Sequence, residues 1–187
     1  MLAGINEILV ITTPEDQLQF QRLLGDGSQW GIKLEYVVQP NPDGLAQAFI
    51  LAEDFLCGAP SALILGDNIF FGQGLVRILK GACENKAGAT IFCCEVTDPE
   101  RYGVVDFDQQ GNVNSIEEKP KKPSSNFAVT GLYFVDETAP SRAKKILPSN
   151  RNEIEITCLL ESYLMDEKLV AEYFGRGFAW FDTGTHD

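Results

Sequence analysis

Ser61-Ala62-Leu63-Ile64-Leu65-Gly66-Asp67-Asn68 is an apolar run that breaks into glycine, carboxylate and amide. It reads as a buried strand that delivers one carboxylate at its carboxyl end. In open α/β sheets that edge is where ligands bind. A carboxylate there, beside small residues, suits a hard cation such as Mg²⁺ holding phosphate oxygens. Taken alone, the four residues Leu65 to Asn68 read more simply as a strand-end turn, since Gly, Asp and Asn are ordinary turn formers.

Working outward, strands and helices alternate on both sides of this run. Residues 8–11 read as a strand. Thr13-Pro14-Glu15 then predicts a helix start, running to Leu24 and stopped by Gly25-Asp26-Gly27. A strand over 34–38 leads into a helix beginning near Asp43, with Leu45, Ala48, Phe49, Ala52 and Phe55 at helical spacing. Beyond Asn68 come a helix over 74–85 and a strand over 89–96. This alternation predicts α/β architecture with a doubly wound, mostly parallel sheet.

After Asp98 the rhythm changes. Residues 103–108 and 112–117 read as a hairpin about Gln109-Gln110-Gly111. A strand over 127–135, helices over 138–147 and 154–166, and short strands over 169–174 and 178–182 complete the chain. The expectation is one domain over 1–187 with an inserted antiparallel part.

Composition narrows the chemistry. The chain has 187 residues, 44% of them hydrophobic, and a formal net charge of -12. No basic stripe offsets that charge, which argues against nucleic acid or an anionic membrane as partner. No run is long enough to span a bilayer, and no leader peptide is evident. Five cysteines, odd in number and without a C-x-x-C, fit reduced thiols and a cytoplasmic setting. Cys93 and Cys94 point to opposite faces of their strand. The one histidine, His186, reads as a turn or surface residue, so triad and multi-histidine zinc chemistries are hard to build. Carboxylates, lysines, arginines, backbone amides and a metal remain.

Four further clusters join Asp67. Gln39-Pro40-Asn41-Pro42-Asp43-Gly44-Leu45 is a rigid loop entering a helix. Its glutamine amide matches a nucleobase edge, and Gly44 permits close approach of a flat ligand. The alternative is a capped helix start. Asp98-Pro99-Glu100-Arg101-Tyr102-Gly103 opens a strand with an aromatic-glycine pair, either ligand-exposed backbone or a structural turn. In Ile116-Glu117-Glu118-Lys119-Pro120 the strand-end twist brings Glu118 and Lys119 toward one site, where carboxylate and ammonium suit sugar hydroxyls and phosphate. A solvated charged strand end is the alternative there. Finally, Phe178-Ala179-Trp180-Phe181-Asp182 delivers a second carboxylate into Thr183-Gly184-Thr185. If Asp67 and Asp182 converge, they form a two-carboxylate Mg²⁺ site completed by substrate phosphates.

Read in order, Q-P-x-P-D-G-L-A-Q-A, L-G-D-N, D-P-E-R-Y-G-V-V, E-E-K-P, V-T-G-L-Y and A-W-x-D-T-G-T resemble the bacterial glucose-1-phosphate thymidylyltransferases, a group of sugar nucleotidyltransferases. The resemblance runs along essentially the whole chain. It implies a Rossmann-like core and formation of dTDP-glucose and pyrophosphate from dTTP and glucose 1-phosphate, with Mg²⁺ as cofactor. Gln39 and Gly44 would hold the thymine, and Pro42 and Leu45 would shape its pocket. Asp67 and Asp182 would bind the metal. Gly103, Glu118, Lys119, Val129 and Gly131 would line the sugar-phosphate side, Lys119 touching phosphate. Tyr102, Tyr133 and Trp180 would wall the sugar pocket, with Arg151 a further phosphate contact. It also implies a homotetramer, and a product that feeds deoxysugars such as rhamnose into surface polysaccharides.

The resemblance further implies a first strand and a G-G-x-G-T-R-L loop cradling the triphosphate, and helices after the T-G-T-H motif. Residues 1–187 contain neither segment, and the chain reads as starting in the helix that would follow the loop. Cys158 stands where aspartate is usual after E-I-T. The expectation is an incomplete nucleotidyltransferase domain with impaired or absent turnover. The alternatives are a noncatalytic nucleotide-sugar-binding or regulatory fragment, and a metal-dependent glycosyltransferase, which also uses strand-end aspartates.

Overall fold

The computed structural model describes residues 1–85 and 87–184. Met1 to Gly4 form a turn, closed by the Gly4 N–H donating to the Met1 carbonyl at 2.9 Å, not the helix expected there. Strands β1 (Glu7–Thr12) and β2 (Lys33–Val38) pair in parallel around helix α1 (Gln17–Leu24). Helix α1 ends at Gly25, as the glycine signal predicts. Two short helices, α2 (Gln47–Leu51) and α3 (Glu53–Leu56), replace the single helix expected from Asp43.

Strand β3 (Ser61–Ile64) is followed by β4 (Asn68–Gly72), helix α4 (Leu75–Glu84) and strand β5 (Ala89–Glu95). Strands β6 (Gly103–Phe107) and β7 (Val113–Glu118) form the predicted antiparallel hairpin, and β8 (Phe127–Val135) follows. Helix α5 (Ala139–Ala143) is shorter than expected, stopping ahead of Pro148, and leaves Leu147 exposed. Helix α6 (Ile156–Met165) leads to β9 (Leu169–Tyr173) and β10 (Phe178–Asp182).

Strand β8 organises the main sheet. It runs antiparallel to β5 along one edge, and to β6 and β3 along the two halves of the other. Only β1–β2 and β5–β9 are parallel pairs among the described strands. The α/β class therefore holds, but the sheet is mixed where the alternation predicts mostly parallel pairing. The reason is physical: a strand buried on both faces reads as the same apolar run whichever way its neighbours point.

Both faces of β8 are covered. Val129, Tyr133 and Val135 pack with Ile91, Phe49, Leu159 and Tyr163 on the side of α2, α5 and α6. Leu132 and Phe134 point the other way, to Phe92, Leu79 and Phe174 beneath α4. Cys93 and Cys94 divide between these two sides as their neighbouring positions predict. All five cysteines are free thiols, and burial pushes Cys94 up to about 11. No helix among the described residues is long and apolar enough to cross a membrane.

Candidate active site

The apolar run that begins at Ser61 ends its strand at Ile64, and Asp67 sits in the turn between β3 and β4. Asp67 is held by a residue distant in sequence. The Thr183 N–H and hydroxyl both donate to the Asp67 backbone carbonyl at 2.8 Å. Asp182 stands opposite Asn68 in the β4–β10 register. A Cβ placed on Gly184 would fall 2.4 Å from Asp67 Oδ2 and 3.3 Å from Asp182 Oδ1. Both carboxylates therefore border one point, where any side chain at 184 would intrude.

That point opens on a cleft of about 280 Å³. Leu45, Asp67 and Asp182 are among its lining residues, as are Gly103, Val129, Gly131 and Tyr133 from the strands. Val129, Gly131 and Tyr133 alternate along β8, the expected consequence of period-two geometry, and Gly103 comes from β6. Tyr102 and Trp180 meet edge to face, ring centroids 5.2 Å apart. Burial, with the charges of Asp98 and Asp182, pushes the Tyr102 phenol up. Burial also raises Tyr133, reinforced by the Glu118 charge.

Glu118 and Lys119 both enter the cleft. Lys119 takes a left-handed φ of 42°, although it precedes Pro120. Few side chains adopt that conformation, and the residue before proline is restricted as well. The Lys119 N–H donates to the Tyr102 carbonyl at 3.0 Å, holding the bend.

Arg151 reaches the same cleft but faces carboxylates. Its Nε donates to Glu155 Oε1 at 3.0 Å, and its Nη2 to Glu155 Oε2 at 2.7 Å and Glu118 Oε1 at 3.1 Å. The hydrogen bonds to Glu155 raise Arg151 despite burial. Burial alone would raise Glu155, but bonds from Arg151 and Ser149, with the Arg151 and Lys119 charges, hold it below the ordinary carboxylate range.

Gln39, Pro42 and Gly44 lie outside the cleft lining. Gln39 Nε2 donates to the Gly44 carbonyl at 3.2 Å and to Gln47 Oε1 at 2.6 Å. Gly44 has φ 102°, and a Cβ there would fall 2.5 Å from the Ile154 carbonyl oxygen. The backbone that crowds Gly44 is the chain's own. His186 and Thr185 lie outside the described residues.

Sequence reading passed over Asn68, Arg101 and Glu155, all in the lining. Asn68 stood in L-G-D-N and looked like a turn former. Arg101 stood in D-P-E-R-Y-G and bonds Asp98 at 3.1 Å. The chain also carries a D-x-D, Asp106-Phe107-Asp108, the motif of many metal-dependent glycosyltransferases. Here it serves the hairpin. Asp108 accepts from the Gln110 and Asn112 N–H groups, and Asp106 from Asn114 Nδ2, all away from the cleft.

No group of three or more His, Cys, Asp or Glu residues among the described residues is arranged to hold a metal ion. The Asp67–Asp182 pair supplies two carboxylates that suit a hard cation, whose remaining oxygen ligands would come from outside the described residues.

The family model for nucleotidyl transferases matches residues 1–187, and the chain belongs to that family. A glucose-1-phosphate thymidylyltransferase of Neisseria gonorrhoeae is 58% identical over 187 residues, all of this chain and 65% of the relative. One from Actinoplanes is 50% identical over 97% of this chain and 60% of its own length. The chain thus spans just under two thirds of these relatives. A Bacillus anthracis protein provisionally given the same name, solved in complex with a sucrose, superposes with a TM-score of 0.89 at 37% identity. That match covers 98% of this chain and 73% of the other. A UDP-glucose pyrophosphorylase complexed with UDP-glucose shares the fold at 22% identity, TM-score 0.81.

Proposed function

We propose that this chain carries the metal and sugar-phosphate part of a glucose-1-phosphate thymidylyltransferase, which joins dTTP and glucose 1-phosphate into dTDP-glucose and releases pyrophosphate. The observation that carries this reading is the convergence of Asp67 and Asp182 in the lining of a cleft that also receives Glu118 and Lys119. Relatives at 58% and 50% identity bear that enzyme's name.

In this reading the sugar lies against β8 and beside the Tyr102–Trp180 pair, with Glu118 accepting from its hydroxyls. Lys119 meets the phosphate as a point charge. That phosphate is a monoester with a second pKa near ~6, already an anionic nucleophile at neutral pH. Its oxygen attacks the α-phosphorus of dTTP in line, forming one P–O bond as the bond to pyrophosphate breaks. No general base is required, which fits a cleft whose described lining has no histidine. Asp67 and Asp182 would hold Mg²⁺, which when bound neutralises charge on phosphate oxygens. Gln39, Pro42, Gly44 and Leu45 contribute the base side, Leu45 being the member of that loop in the cleft lining. Reduced cysteines support a cytoplasmic setting, and we read the assembly as a homo-oligomer.

A second reading, binding without turnover, is favoured by the cleft's cations. Arg101 and Arg151 are both engaged in ion pairs, and among the described residues Lys119 is in none. A pyrophosphate-release assay on the purified chain with dTTP, glucose 1-phosphate and Mg²⁺ separates the two. Sustained release supports transfer. Saturable dTDP-glucose binding without release supports the second reading, and the absence of both would overturn the substrate assignment.

A further inference from the structure

Asn68 touches three parts of the cleft at once. Its Oδ1 accepts from the Trp180 indole N–H at 2.6 Å and from the Gly131 backbone N–H at 2.9 Å. Its Nδ2 donates to Asp67 Oδ1 at 2.9 Å. One side chain thereby ties the first residue of β4 to β8, to β10 and to the carboxylate beside it.

The fit is tight on the β8 side. A Cβ on Gly131 would fall 2.6 Å from Asn68 Oδ1 and 2.8 Å from its Cγ. A glycine at 131 is therefore what admits this amide. Without Asn68, the Gly131 amide would lack its acceptor, and the indole would lose the contact that fixes its ring against Tyr102. Only an amide does all three jobs. A carboxylate accepts twice but has no proton for Asp67, and an apolar side chain does none of them.

We infer that Asn68 is a positioning residue that sets the Trp180 wall and the Asp67 carboxylate in one register, so that sugar-side binding depends on it through Trp180. This rests on the nucleotide-sugar reading above for its ligand, but not for its geometry. Trp30 is the other tryptophan and is half exposed, so a Trp30→Phe background leaves Trp180 as the single emitter.

The test compares the chain with Asn68→Leu and Asn68→Asp in that background, by Trp180 emission without ligand and by calorimetric titration with dTDP-glucose at saturating Mg²⁺. The expected result is that Asn68→Leu shifts the emission and weakens binding about tenfold. Asn68→Asp keeps an Oδ acceptor for the indole and for the Gly131 amide but offers no proton to Asp67, so it holds the parent emission while binding weakens beside a second carboxylate. Trp180→Phe supplies the second check: with the indole N–H absent, adding Asn68→Leu costs little further affinity. Unchanged emission in Asn68→Leu, or full additivity with Trp180→Phe, overturns the assignment. If the parent binds no dTDP-glucose, the substrate reading fails, while the emission comparison still decides whether Asn68 holds Trp180.

Discussion

Arg151 and Glu155 form a two-pronged pair, Nε to Oε1 at 3.0 Å and Nη2 to Oε2 at 2.7 Å, beside the cleft. The two residues are four apart in the loop that enters α6, and Glu155 immediately precedes that helix. The Glu155 side chain is 8% exposed against 40% for Arg151, so the carboxylate is the member with most to lose. Fork geometry and burial together make this a stronger contact than the chain's exposed ion pairs.

The pair predicts an acid-sensitive contribution to stability. Glu155 titrates below its ordinary value in the folded chain, so its ionised form stabilises the fold above the unfolded value of 4.5. That contribution fades as pH falls through the lower folded value. Glu155→Gln should lower stability by about 1–3 kcal/mol at pH 7 and flatten its decline in acid. Urea melts at pH 7 and about pH 3.5 check this; equal losses at both would contradict it.

Core packing gives a second expectation. Leu159 is fully buried between α6 and the sheet. Leu159→Ala should cost about 2–5 kcal/mol. Tyr163→Phe removes a hydroxyl that donates to Asp136 at 2.8 Å, and should cost about 1 kcal/mol. Denaturant midpoints measure both.

Thr130 predicts the opposite sign. Its hydroxyl is buried on β8 with no hydrogen-bond partner among the described residues. Thr130→Val keeps the shape and removes the orphaned polar atom. The chain should be unchanged or stabilised by up to about 1 kcal/mol. A clear loss of melting temperature would mean that the hydroxyl has a partner in solution.

Gly131→Ala tests the tight contact from the other side. The added methyl meets Asn68 and the Leu65 side chain at 2.6–2.8 Å. It should displace the amide, change Trp180 emission and weaken dTDP-glucose binding about tenfold. Emission and affinity equal to the parent's would contradict that.

Strands such as 127–135 and 178–182 were legible to the residue, because apolar periodicity and flanking turn residues define them locally. The pairing of β4 with β10 was not. Asn68 and Asp182 are far apart in sequence, and nothing in Asn68-Ile69-Phe70-Phe71-Gly72 says which strand will lie beside it. For the same reason Asp67 and Asp182 were nameable one by one, while their meeting was only a condition. Arg151 is nameable as a phosphate contact because a sequence displays its charge, while Glu118 and Glu155 beside it are legible only in the fold. Gly44 is nameable as a point of close approach, but that the Ile154 backbone stands on the side where its Cβ would lie is legible only in the fold.

The most direct measurement is calorimetric titration of the purified chain with dTDP-glucose in Mg²⁺, alongside Asp67→Ala and Asp182→Ala. Saturable binding by the parent, weakened at least about tenfold in each folded variant, is the predicted result. A folded parent that binds no dTDP-glucose, or variants that bind as well as the parent, would contradict a nucleotide-sugar site built on these two carboxylates.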